Sequence, residues 1–195
     1  MATPQTPEAR LYFAYGSNLS LTQMASRCPT STYHSLGVLH NYTWVIGPRG
    51  YANVVSSPSS APSDPSFQSS DLYESKVYGL LYTLEPEDEA LLDRAEGVPR
   101  AYTKHLLSIE IVTPDLESEK EKEVKALVYV DLKRTGTGVC QEEYVGRMNR
   151  GIRDAVEKGM PRAYVERVLR KCVRDEDVGD EVGDPFHPSQ EVIPE

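Results

Sequence analysis

LYFAYGSNLS, residues 11–20, reads as a strand that runs straight into the start of a helix. Leu11 to Tyr15 is apolar and aromatic, as a strand requires, and Gly16, Ser17 and Asn18 then interrupt it. Ser20-Leu21-Thr22-Gln23 fits the S-x-x-Q capping box, which predicts a helix over LTQMASRC directly after YGSNL. Unpaired amides at a helix start, beside a glycine with no side chain to obstruct a visitor, form a site for a carboxylate or other anion. The same three residues also make an ordinary strand-to-helix turn that satisfies its own backbone, and spacing alone does not prefer the anion site.

Outward from this stretch, SLGVLHNYTWVIG and GYANVVSS are rich in β-branched and aromatic residues between Gly and Pro and read as strands. KVYGLLYTL is apolar on both alternating faces, the pattern of a central strand covered on both sides. EPEDEALLDRAEG predicts a short helix. Pro86 suits its first turn, Glu85, Glu87, Asp88 and Glu89 lie at its positive end, and Gly97 terminates it. AYTKHLLSIEIVT and EVKALVYVDL predict two more strands joined by the charged hairpin loop PDLESEKEKE. Two helices follow, one with Val145, Met148, Ile152 and Val156 on a face and one with Val165, Val168, Leu169 and Cys172, separated at Met160-Pro161. Strands with a few short helices, and no repeated βαβ unit, argue an α+β fold with a mainly antiparallel or mixed sheet.

At 39% hydrophobic, 195 residues suffice for one domain with a real core. The formal charge of -9 is unevenly placed. Arg174 to Glu195 holds eight acids against one base, so residues 1–173 carry only -2, from twenty bases and twenty-two acids. A nearly neutral core gives no basic footprint for nucleic acid. The expected organisation is an unstructured start over 1–9, one domain over 10–173 with a flexible Ser/Pro-rich insertion at 56–75, and a solvated acidic tail over 174–195. Cys28, Cys140 and Cys172 are odd in number and far apart, which predicts reduced thiols rather than a disulfide framework or a zinc site. His34, His40, His105 and His187 show no metal-ligand spacing, and His105, alternating with Leu107, Ile109 and Ile111, reads as a core-edge residue. No run is long enough to span a bilayer, and MATPQTPEAR lacks the apolar centre of a signal peptide, so a cytoplasmic protein without membrane partners is expected.

Glu96, in LLDRAEGV, is the second informative position. At the last turn of a helix it faces the negative dipole end, which disfavours its charge. Burial there would raise its pKa further, into a range useful for proton transfer near neutrality. An exposed glutamate beside a Gly stop fits the same letters.

The YGSNL run and the later EGV glutamate, in that order, resemble the gamma-glutamylcyclotransferase family. QEEYVGRM and KGMPRAYVERVL are similar to it too, so the resemblance extends over residues 11–172. It implies a small mixed β-barrel with flanking short helices, working without cofactor or metal. It implies that Tyr15, Gly16, Ser17, Asn18 and Leu19 grip a glutamyl group and that Glu96 is the catalytic carboxylate. Tyr102 and Tyr144 are expected as pocket walls or as packing. The implied reaction is attack of a gamma-glutamyl compound's own α-amine on its γ-carbonyl, giving 5-oxoproline and a free amine. A tailoring lyase of the same chemistry, acting on a gamma-glutamyl or glutathione-derived metabolite, and a gamma-glutamyl-binding module without turnover are the alternatives. The resemblance leaves a homodimer open and sets the 56–75 insertion beside a strand that lies near the substrate in relatives.

Overall fold

The computed structural model describes residues 9–57, 73–112, 123–176 and 184–187. Strand β1 (Arg10–Ala14) is paired on both edges, antiparallel to β5 (Lys76–Leu84) with Tyr12 opposite Tyr82, and parallel to β7 (Glu123–Val130) with Leu11 opposite Ala126. On its other edge β5 pairs with β2 (Thr32–His40), which is antiparallel to β6 (Thr103–Val112), and β6 is antiparallel to β7. The order β1-β5-β2-β6-β7 closes into a barrel, so no strand of it presents a bare edge. This is the α+β fold with a small mixed barrel. KVYGLLYTL is the doubly paired strand its two apolar faces predict.

Small residues let the barrel close around Phe13, which is fully buried. Gly37 and Gly79 face each other across β2 and β5. A Cβ at Gly79 would run into the Ala14 carbonyl and the Phe13 ring, and one at Gly37 would lie 2.6 Å from Ile109.

SLGVLHNYTWVIG is two strands, not one. Asn41, at φ 63°, reverses the chain after β2, and β3 (Tyr42–Ile46) leaves the barrel to pair with β4 (Ala52–Ser56) as a separate hairpin. Asparagine tolerates this left-handed conformation, which an alternation pattern does not reveal. The hairpin is fastened over one end of the barrel. Trp44 Nε1 donates to Tyr15 O at 2.9 Å, while Asn53 donates to Asp131 O and accepts from Asp131 N at 2.9 and 3.0 Å.

After β1 a 3-10 turn (Ser17–Leu19) leads into α1 (Leu21–Arg27). Helix α2 (Pro86–Ala95) follows β5, with the buried Asp88 of its first turn accepting from Thr30 N and Oγ1 at 3.0 and 2.7 Å. Helix α3 (Glu142–Glu157) lies on the 3-10 turn, where a Cβ at Gly151 would stand 2.9 Å from Leu19 Cβ. The last helix is shorter than its apolar spacing suggests. α4 (Arg162–Arg167) gives way to a 3-10 turn over Leu169–Lys171, which aims Leu169 and Val173 into the core and leaves Cys172 exposed.

Residues 1–8, residues 58–72 of the Ser/Pro-rich insertion and residues 113–122 around the charged hairpin loop lie outside the described residues. Of the acidic segment expected to be solvated, residues 184–187 are seated against α1, α3 and Tyr51. Asp184 is the reason, because it neutralises two guanidiniums that are 2–3% exposed.

Candidate active site

The capping box at the start of α1 is half formed. Ser20 Oγ accepts from Gln23 N at 3.4 Å, but the Gln23 side chain turns away to donate to Ser17 Oγ and Asn18 Oδ1, at 2.9 and 2.8 Å. Leu21 N donates to Asp154 Oδ2 at 2.8 Å. The amides of Leu21 and Gln23 at the helix start are therefore taken by protein groups, as in a turn that satisfies its own backbone. Within the YGSNL loop, Leu19 N closes on Gly16 O at 2.9 Å and Ser17 N donates to Tyr144 Oη at 3.0 Å. Among the described residues the amides of Gly16 and Asn18 have no such partner, and both residues line the cavity described below.

Asn18 carries the largest share of the connections. Its Nδ2 donates to Tyr12 Oη and to Glu96 Oε1, both at 2.9 Å. Its Oδ1 accepts from Gln23 at 2.8 Å and from Arg27 Nη1 at 3.2 Å, and its carbonyl accepts from Tyr82 Oη at 3.1 Å. With every polar atom of its side chain bound, Asn18 aims Glu96, and its side chain has no hydrogen left for a ligand. Its side chain thus holds a carboxylate, while the residue also lines the cavity described below.

Glu96 caps α2 at its C-terminal end, and Gly97, at φ 63°, carries the chain away in a conformation that a residue with a side chain adopts only with strain. The Glu96 side chain is 15% exposed. Burial pushes its pKa above the ordinary glutamate range; the charges of Arg27 and Arg147 and the Asn18 hydrogen bond oppose this without cancelling it. Arg27 Nη1 stands 3.6 Å from Glu96 Oε1.

These groups share the wall of a cavity of about 250 Å³, which Tyr15, Gly16, Ser17, Asn18, Glu96, Tyr102 and Tyr144 all line. Leu19 does not: its side chain is fully buried under α3. Two of the lining phenols are committed to the fold, Tyr15 Oη donating to Tyr129 O at 2.5 Å and Tyr102 Oη to Ala52 O at 2.8 Å. Tyr144 Oη accepts from Ser17 N, so its own hydrogen can be directed to a visitor. Burial raises the pKa of Tyr15, Tyr102 and Tyr144 alike, which keeps all three neutral donors. Gly16 is required by proximity, because a Cβ there would lie 2.7 Å from Tyr144 Oη.

Residues 76–168 match the model of the AIG2-like family. Among solved structures, a gamma-glutamyl cyclotransferase aligns with a TM-score of 0.65 at 20% identity over 92% of this chain and 96% of its own. An uncharacterised protein from Homo sapiens gives 0.65 at 21% identity with the same two coverages. A gamma-glutamyl cyclotransferase specific to glutathione, from yeast, gives 0.51 at 11% identity over 85% and 96%. No curated protein matches the sequence.

The chain has the gamma-glutamylcyclotransferase-like fold.

Four residues beside the YGSNL and EGV motifs escape a reading of the sequence. Arg27, Arg147, Asp184 and Gln23 form one network: Arg147 Nε donates to Gln23 Oε1 at 3.0 Å and its Nη2 to Ser17 Oγ at 3.1 Å, and both arginines bind Asp184. For Arg147 a signal did exist. It lies three residues after Tyr144 and next to Met148, on the apolar face of α3, where a solvated arginine does not belong. Among the described residues no cluster of three or more His, Cys, Asp or Glu could hold a metal ion, and no helix is long and apolar enough to cross a membrane.

Proposed function

We propose that this protein cyclises a small gamma-glutamyl compound to 5-oxoproline with release of its amine. The observation that carries the reading is Glu96: a mostly buried carboxylate, held at 2.9 Å by Asn18, with a pKa above the ordinary range, facing the cavity. At neutral pH the substrate's α-amine is an ammonium and cannot attack. Glu96 takes a proton from it and the freed nitrogen bonds to the γ-carbonyl carbon; the γ-amide C–N bond breaks as the protonated Glu96 gives that proton to the departing nitrogen, and the second proton shed by the ring nitrogen passes to the same amine, which leaves as an ammonium. One carboxyl serves both steps because its raised pKa brings it nearer to both partners.

The reaction is intramolecular, so holding the glutamyl chain curled supplies much of the acceleration. In this reading the Gly16 and Asn18 amides and the Tyr144 hydroxyl receive the α-carboxylate and the oxygen that gains charge in the transition state. The buried phenols and aromatic walls exclude water, so the amine attacks in its place.

The test is release of 5-oxoproline by the purified protein from gamma-glutamyl-alanine and, separately, from glutathione. We expect release from at least one, and a loss of about 10²–10⁴-fold in Glu96→Gln. A folded, fully active Gln variant overturns the role of Glu96. Binding of gamma-glutamyl-alanine without release by the unaltered protein points instead to a binding module.

A further inference from the structure

Residues 184–187 belong to no element of the barrel, yet they are built into the site. The Asp184 carboxylate accepts from Arg27 Nε and Nη2 at 2.6 and 2.7 Å and stands 3.2 Å from Arg147 Nη2. The two arginine side chains are only 3% and 2% exposed. Phe186 N turns back to Asp184 Oδ1 at 3.1 Å, and His187 Nε2 contacts Ser26 O at 3.1 Å, so the segment is a tied turn. The Phe186 ring stands edge-on to Tyr51, with centroids 5.4 Å apart at 83°, and Arg147 lies 5.7 Å from its centroid.

Phe186 lines the cavity, whereas Asp184 does not: its carboxylate lies behind the two arginines. That difference separates a wall from a plug. Were the segment occupying the site in place of a substrate, its carboxylate would stand in the cavity. Depth gives direction as well. Glu96 is sunk at 15% exposure and Phe186 is 41% exposed at the rim, so a substrate whose glutamyl end reaches Glu96 passes its amine portion toward Phe186 and Tyr51.

We infer that Asp184–Phe186 is a strap that completes the site: Asp184 is a positioning residue that fixes Arg27 and Arg147 beside Glu96, and Phe186 selects amines with an apolar side chain. This inference rests on the cyclotransferase reading above. The step it selects for is the one already written, with the amine leaving along the Phe186 wall.

The test uses the full chain. Gamma-glutamyl-leucine and gamma-glutamyl-alanine are compared as substrates of the unaltered protein, Phe186→Ala, Asp184→Asn and Asp184→Glu. We expect Phe186→Ala to lower the leucine-to-alanine ratio of kcat/KM about 10-fold or more, since an apolar contact of this size discriminates by about 10–200-fold. Asp184→Asn is expected to lower kcat/KM for both compounds in parallel, mainly through kcat, with partial rescue in Asp184→Glu. A readout without turnover runs beside it. The chain has three phenylalanines, so fluorophenylalanine labelling gives three 19F resonances. The one lost in Phe186→Ala is expected at a ring-shifted position that collapses in Asp184→Asn.

An unchanged leucine-to-alanine ratio in Phe186→Ala overturns the selectivity. Higher activity in Asp184→Asn overturns the strap as part of the site and makes it an inhibitory plug. No turnover by the unaltered protein overturns the functional reading and the amine selectivity with it, while the 19F resonance still decides whether the strap is docked.

Discussion

Asn18 shows how one side chain can set the chemistry of another. Its two amide hydrogens are divided between Tyr12 and Glu96, and its oxygen is fixed by Gln23 and Arg27, so the amide cannot flip without breaking four hydrogen bonds. Asn18→Asp preserves shape while removing both donors and placing a like charge beside Glu96. Like charges at this range raise a carboxyl pKa, and the lost hydrogen bond raises it again. The acid limb of kcat/KM for 5-oxoproline release should move upward by roughly one to three pH units. A pH–rate profile checks this, and an unmoved limb would show that Asn18 does not govern Glu96. Much of this was legible in the letters: YGSNL and EGV named the two partners, though they lie 78 positions apart. What the letters hid was the division of labour. Whether an asparagine faces a ligand or a neighbouring carboxylate depends on which residues surround it, and Gln23, Arg27 and Tyr12 become its neighbours only once β1, α1 and α2 are packed.

At the scale of elements, α3 is the part that joins the loop to the strap. Tyr144, Arg147 and Gly151 follow one another along one face at helical spacing, so Tyr144 reaches the YGSNL loop, Arg147 reaches Asp184, and Gly151 lets the helix lie directly on Leu19 and Ser20. On propensity alone Gly151→Ala should gain about 1 kcal/mol in a helix interior. Here the added Cβ would meet Leu19 Cβ at 2.9 Å and Ser20 N at 3.1 Å, both on a turn held by its own hydrogen bonds. The clash should win. We expect a net loss of about 1–3 kcal/mol by denaturant unfolding, as overpacking costs, with a fall in kcat/KM because Tyr144 and Arg147 move with the helix. A stabilised Ala variant would show that the loop yields freely. The spacing of Val145, Met148 and Ile152 announced this helix, and alternation announced the strands. Where the reading failed, at Asn41 and after Arg167, one residue's backbone conformation redirected the chain and moved side chains between faces, a local event that periodicity averages away.

Across the whole molecule, Glu96 and Asp184 are carboxyls of one network with opposite effects on stability. Glu96 has its pKa raised chiefly by burial, so the folded state prefers it protonated. Its contribution is complete below the ordinary glutamate pKa and is lost as the pH rises through the raised value. Asp184 is also disfavoured by burial, but its hydrogen bonds with Arg27 and the charges of Arg27 and Arg147 outweigh this and lower its pKa. Its contribution is present above the ordinary aspartate pKa and is lost as the pH falls through the lowered value. Two variants that remove one charge each should therefore diverge. Glu96→Gln should match the unaltered protein in acid and become the more stable of the two as the pH approaches neutrality. Asp184→Asn should be less stable near neutrality by about 1.5–3 kcal/mol, the worth of hydrogen bonds to a charged group, and the deficit should close on acidification. Denaturant unfolding of all three proteins across the acid-to-neutral range measures both curves. If Glu96→Gln is instead the less stable at neutral pH, the arginines hold Glu96 as a structural ion-pair partner, and the strained carboxylate on which the proposed proton transfer depends is absent.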